Sequence, residues 1–188
     1  MQPPEKHNLS ETEYLAFEES SQNRYEYIAG EVYAMAGGSQ RHNKISGNTY
    51  IALTLALKGK FCQTYMSDVK LNVAKDSAYY YPDVMVTCAE NAAANESAVV
   101  TDPVLVIEVL SPSTETIDRR EKLHAYRRLP TLQEYVLISQ DMQQVEIYRR
   151  QGDVGWLYIP CEAGDSVEFA SVGVTLPIVE LYAGTDVA

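Results

Sequence analysis

The sequence predicts an α/β domain built on a mixed sheet. Three observations predict it: a capped helix followed directly by a hairpin, an apolar run at residues 104–110 broken by one acid, and a series of short turn-bounded strands after residue 134. Segments of helical and strand period alternate along the chain, which is the pattern of α/β architecture.

The first helix is announced by Ser10 and Glu13, a capping box, with Leu9 and Tyr14 at the positions of a hydrophobic staple; it runs to about Ser20. Arg24 to Ile28 and Glu31 to Ala36 flank Ala29-Gly30, a tight hairpin turn in which glycine supplies a positive φ. After Gly37-Gly38, the residues Ile45, Thr49, Ala52, Leu53 and Ala56 recur at helical spacing, and this second helix ends near Gly59.

From Phe61 the period shortens. Phe61 to Met66, Val69 to Val73 and Tyr79 to Cys88 read as strands, followed by a loop from Ala89 to Asn95. Val104 to Leu110 is apolar without alternation, so it reads as a strand covered on both faces and central in the sheet. Ser111-Pro112 stops it. A helix from about Glu115 to Leu129 follows, with Ser113 or Thr114 as cap and Pro130 marking its end. Tyr135 to Ser139, Val145 to Arg149, Trp156 to Ile159 and Val167 to Ala170 are short strands, with turns at Asp141, Gly152-Asp153 and Gly164-Asp165. No repeat, linker or low-complexity tract divides the chain, so residues 1–188 are expected to form one domain.

At 188 residues, 46% hydrophobic and 22% charged, the composition is that of an ordinary globular domain. No apolar run approaches the roughly 20 residues that cross a bilayer. Nothing in Met1 to Asn8 resembles a secretory signal, so a cytoplasmic protein is expected. The cysteines Cys62, Cys88 and Cys161 are widely spaced and odd in number, and are expected to be buried thiols. A net charge of −11 argues against a protein that grips long duplex DNA through many phosphates. Fourteen tyrosines against three phenylalanines hint at self-association, because tyrosine suits interfaces where one end stays wet.

The chemistry concentrates on two acids. Glu108 lies among Ile107, Val109 and Leu110 on the strand expected to be central, and Asp83 enters the apolar run Val84-Met85-Val86 just after Pro82. Burying an unpaired carboxylate costs several kcal/mol, so each needs a cation, a hydrogen-bond network or a proton. Two such acids on neighbouring strands converge on one point, and convergent carboxylates suit a hard cation such as Mg²⁺. On the following helix, Lys122, Ala125, Tyr126 and Leu129 fall at i, i+3, i+4 and i+7, which puts Lys122 in the apolar stripe and aims it at the sheet. Arg119, Arg120, Lys122, Arg127 and Arg128 are five of the chain's 15 basic residues within ten positions, a candidate phosphate-binding patch. The residues alone leave plainer readings open: a structural acid pair, an i, i+4 ion pair between Asp118 and Lys122, a solvated basic face, a helix-terminus histidine at His42, and a cross-strand ion pair at Glu26.

Tyr81-Pro82-Asp83, Ile107-Glu108-Val109-Leu110-Ser111-Pro112-Ser113-Thr114 and Asp118 with Lys122 and Tyr126 resemble the Uma-two family of restriction-endonuclease-like proteins. Arg24-Tyr25-Glu26, Gly30-Glu31 and His42 are similar to it as well. The resemblance spans residues 10 to 182 and implies the restriction-endonuclease-like fold, a mixed β-sheet flanked by helices, with a metal-dependent nuclease site of the Pro-Asp and Asp/Glu-x-Lys type. Carried over, Asp83 and Glu108 are metal ligands for Mg²⁺ or Mn²⁺ and Lys122 is the catalytic lysine. Glu26 and His42 are possible additional site residues, and Arg119 and Arg120 possible phosphate contacts. The sequence departs from the wider pattern at Leu110, where a lysine two residues after the acid is usual. The resemblance also implies DNA as substrate, a homodimer and a cytoplasmic location; the alternative is a catalytically silent dimeric binding or regulatory module on the same fold.

Overall fold

The computed structural model describes residues 5–35, 37–73, 77–89 and 97–187. Helix α1 spans Glu11–Glu19, and its Ser10 cap is reciprocated by Glu13 as the capping box requires. Strands β1 (Tyr25–Ile28) and β2 (Glu31–Ala34) form the expected hairpin. Both turn residues take positive φ, 48° at Ala29 and 98° at Gly30, the conformation that matches the twist of the paired strands. Helix α2, Gln40–Ala56, is capped by Ser39, whose hydroxyl accepts from the His42 amide.

Strands β3 (Gln63–Met66), β4 (Lys70–Val73), β5 (Ala78–Tyr80), β6 (Val84–Thr87), β7 (Val99–Val100) and β8 (Pro103–Leu110) follow. The segment expected to be one strand from Tyr79 to Cys88 is two. Pro82 has no amide to continue a ladder, and the chain leaves β5 in one sheet and enters β6 in another across residues 81–83. The expected loop after Ala89 lies at 90–96, outside the described residues.

After β8 come α3 (Glu115–Ile117), a five-residue π turn at Asp118–Lys122 and α4 (Leu123–Tyr126), one helical segment that returns to β9 (Glu134–Ser139). Thr114 stands at its cap position without a side-chain capping bond, so neither expected cap acts. The Ser111 hydroxyl instead lies 3.0 Å from both the Ser113 and Thr114 hydroxyls. Strands β10 (Gln144–Gln151), β11 (Gly155–Glu162), β12 (Ser166–Phe169) and β13 (Val174–Pro177) and the short α5 (Ile178–Leu181) complete the chain.

A six-stranded sheet runs β11-β10-β9-β8-β6-β3, with β8 and β9 parallel and the other neighbours antiparallel. A five-stranded sheet runs β2-β1-β5-β4-β7, and β12 and β13 form a ribbon. The central place expected for residues 104–110 is thus observed. Period-2 alternation on β8 decides which face each side chain takes. Leu105, Ile107 and Val109 join a core with Ile45 and Leu53 of α2 and with Phe169 and Leu176 of the ribbon. Val106 and Leu110 join a second core with Ala125, Tyr126 and Leu129 and with Leu71 and Tyr80 of the five-stranded sheet. Glu108 shares that second face, under the returning helix.

Most of the tyrosines lie in the interior. Tyr80, Tyr126, Tyr135, Tyr148 and Tyr158 form a run of ring contacts with centroids 5.1 to 6.3 Å apart, and Tyr14, Tyr25, Tyr27 and Tyr79 build a third cluster beneath α1. The expectation of three free thiols is corrected. Cys62 and Cys88 form a disulfide, and only Cys161 is free and buried. The β3–β6 register brings them together: Gln63 faces Thr87, so the next positions out also meet. Among the described residues no helix is long and apolar enough to cross a membrane.

Candidate active site

Asp83 and Glu108 meet because of strand register. Val84 faces Ile107 in the antiparallel β6–β8 pair, so one step back puts Asp83 opposite Glu108, and directly opposed residues share a face. Asp83 Oδ2 accepts the Val109 amide at 2.8 Å, which fixes it against β8. Both acids line one cavity of about 520 Å³.

Lys122 reaches the same cavity from the π turn. Its Nζ lies 3.1 Å from Glu108 Oε1, 3.1 Å from Glu26 Oε1 and 3.4 Å from Asp118 Oδ1. The wider π turn, common at functional sites, keeps Asp118 and Lys122 both buried, at 2% and 5% exposure. Asp118 Oδ1 accepts no hydrogen bond, so the ammonium is its compensation by proximity alone. Glu26 also accepts the Tyr81 amide at 3.3 Å, tying β1 to the Pro-Asp crossing. Tyr126 donates to Glu108 Oε1 at 2.9 Å.

The electrostatics show a surplus of negative charge. Burial, then Asp118, Asp83 and Glu26, push the Glu108 carboxyl well above the usual carboxylate range, although Lys122 pulls the other way. For Lys122, burial opposes the charge, but Glu108, Glu26 and Asp118 outweigh it and hold the ammonium more firmly protonated than a free lysine. His42 Nε2 stands 3.2 Å from Asp83 Oδ2; burial disfavours its charge, the Asp83 bond favours it, and the balance raises its pKa. Gly38 makes room for that ring: a methyl there would come within 2.9 Å of His42 Nδ1.

A hard divalent cation fits the chemistry of this donor set. Mg²⁺ takes one or two carboxylates, with water and substrate phosphate completing its shell, and Asp83 and Glu108 offer two where negative charge is in excess. Among the described residues no cluster of three or more acid, histidine or cysteine side chains could hold a metal.

The sequence profile of the Uma2 family, described as "Putative restriction endonuclease", matches residues 11–182. The chain belongs to the Uma2 family. Two Synechocystis proteins, each described as an uncharacterized protein, are similar to it: slr1290 at 37% identity, covering 94% of this chain and 92% of that one, and sll1609 at 39% identity, covering 79% and 85%. The crystal structure of a putative nuclease belonging to DUF820 from Anabaena variabilis superposes with a TM-score of 0.76 at 20% identity, covering 93% of this chain and 98% of that one. The fold is restriction-endonuclease-like.

In this Uma2 chain, Leu110 is buried in the second core, and Lys122 brings the ammonium to Glu108 from the helix instead. Arg119 and Arg120, the expected phosphate contacts, are not brought to the cavity. Arg119 grips Glu146 with both terminal nitrogens, at 2.6 and 2.8 Å, and bonds Glu115 with Nε at 2.8 Å. Arg120 is exposed, and neither arginine lines the cavity. An i, i+4 acid on the helix and a buried acid on the neighbouring β10 claim the guanidinium first. Asp83, Glu108, Lys122, Glu26 and His42 are all brought together. Sequence reasoning assigned no site role to Tyr33, Met35, Ser39 and Gln140, which also line the cavity, and read Ser111 to Thr114 only as a strand stop and motif. Only the turn composition around Gly37-Gly38 and Ser111-Pro112 signalled loops there.

Proposed function

We propose that the chain is a metal-dependent endonuclease that hydrolyses phosphodiester bonds in DNA. One observation carries the reading: two acids on adjacent strands share a cavity with a buried lysine held between three carboxylates. Family membership and the nuclease-like neighbour point the same way. Asp83 and Glu108 would hold Mg²⁺ or Mn²⁺, which when bound supplies Lewis-acid activation of water and charge neutralisation at phosphorus. Lys122 keeps a fixed positive charge at the cavity floor, where it offsets charge developing on the phosphoryl oxygens. Glu26 and Asp118 hold that ammonium in place. The Val109 amide and His42 orient the Asp83 carboxylate, and Tyr126 orients Glu108.

The test is DNA supplied both as supercoiled plasmid and as single strand, with Mn²⁺ or Mg²⁺, comparing the parent protein with Asp83→Asn and Glu108→Gln. Cleavage by the parent alone is expected; equal cleavage by all three assigns the activity to a contaminant and removes the proposal. On this reading the protein works in the cytoplasm, and as a homodimer, the oligomeric state being checked by light scattering of the purified protein. A second reading, a silent binding module on the same fold, is favoured by the ammonium already compensating three of the acids. Calorimetric titration with Mn²⁺ separates the two, because a silent module gives no heat.

A further inference from the structure

The cavity's shape, rim and charge say more about its substrate than the acids alone. Glu108, Asp118 and Lys122 are 2 to 5% exposed, and the more accessible Asp83 and His42 side chains are themselves only 20% and 17% exposed. The reacting groups therefore stand at the floor of a pocket, not along an open groove, and a phosphodiester must enter to meet them. Duplex DNA is stiff over about 150 base pairs. It presents its phosphates on the outside of a rod, whereas an unpaired strand bends at every nucleotide and can fold one phosphate inward.

Charge gives the same answer independently. Duplex binders neutralise several phosphates, commonly about 6 to 10, with free lysines and arginines. Among the described residues Lys122 is the only lysine or arginine lining the cavity. The arginines elsewhere are largely committed: Arg24 to Asp68, Arg41 to Asp186, Arg119 to Glu146 and Arg149 to Glu134. The net chain charge of −11 also opposes the approach of a dense polyanion.

The rim instead carries neutral hydrogen-bonding groups and an aromatic ring. Ser111, Ser113 and Thr114 form a hydroxyl cluster in the lining. Tyr33 lines the same cavity, half-buried, and its hydroxyl is already bonded to Glu31, which leaves the ring for a ligand. Aromatic faces with hydroxyl donors are how unpaired bases and sugars are held, and stacking needs no dense positive charge.

We infer that the substrate is an unpaired DNA strand, one nucleotide of which enters the cavity, rather than intact duplex. The inference rests on the nuclease reading above and narrows it. A labelled oligonucleotide, alone and annealed to its complement, is incubated with the protein and Mn²⁺ beside Glu108→Gln. The single strand is expected to be cut at least about tenfold faster than the duplex. A duplex cut as fast or faster overturns the inference and leaves the nuclease reading standing. No cutting of either above the Glu108→Gln level ends both. Binding without metal, followed by fluorescence anisotropy in EDTA, gives a readout apart from catalysis. There Tyr33→Ala should weaken single-strand affinity about 5- to 100-fold while Tyr33→Phe retains it, as stacking requires. Equal affinity for all three proteins removes the aromatic rim from the account.

Discussion

Lys122 Nζ and Glu108 Oε1 lie 3.1 Å apart although 14 residues separate them in sequence, and the contact is closed by a helix that leaves β8 and folds back over it. The ammonium is the compensation for three buried acids at once, whereas Glu108 is a carboxyl that burial and its neighbours already incline to keep its proton. Removing the two partners should therefore have unequal consequences.

Lys122→Met leaves Glu26, Glu108 and Asp118 without a cation and should lower folding stability by about 3 to 5 kcal/mol, the usual cost of stranding a buried charge. Glu108→Gln keeps an acceptor for Tyr126 and two acids for Lys122, and should cost about 1 kcal/mol. Urea denaturation in the absence of divalent ions measures both. Equal losses would mean that Glu108 is ionised in the folded protein.

Tyr126→Phe removes the hydroxyl that donates to Glu108 at 2.9 Å and leaves the ring packing intact. A loss of about 1 to 2 kcal/mol is expected. In a double-mutant cycle with Glu108→Ala, which removes the acceptor, the two losses should not add, because one contact carries both.

The Arg119 guanidinium spans Glu115 and the buried Glu146. Arg119→Ala should lower stability by about 2 kcal/mol through the stranded Glu146. It should leave the salt dependence of oligonucleotide binding unchanged. A slope reduced by about one unit would restore Arg119 as a phosphate contact.

The Cys62–Cys88 disulfide closes a loop with a sequence separation of 26. In the chain-entropy account a loop of that length contributes about 3 kcal/mol, so dithiothreitol should lower the melting temperature. Cys88→Ser should be destabilised alike and show no further response to reductant. A melting temperature indifferent to both would mean that the two thiols are not joined in solution.

Much of the scaffold was legible because local signals and tertiary packing agree. The Ser10–Glu13 box, the Ala29-Gly30 turn and the apolar run at 104–110 each dictate a local geometry that the fold then uses. The site's acids were legible for the opposite reason, since Glu108 contradicts its apolar surroundings and contradiction needs a partner. What stayed hidden depends on register between distant segments. The split of residues 79–88 between two sheets, the meeting of Cys62 with Cys88 and the capture of Arg119 by Glu146 are set by which strand lies beside which. Composition carries no trace of that. The absent cap at Thr114 belongs here too: its hydroxyl is engaged with Ser111, a choice made by the loop and not by the helix.

The passage of the chain from β5 to β6 through Tyr81, Pro82 and Asp83 makes the acid a rivet in the seam between two sheets. Glu26 on one sheet and the Val109 amide on the other both pull on that three-residue strap, one at its first member and one at its last. Any sliding of the sheets past each other therefore shifts one carboxylate relative to its counterpart on β8. Slack introduced at Pro82, by Pro82→Gly for instance, would blur the spacing of the two acids before it loosened either core.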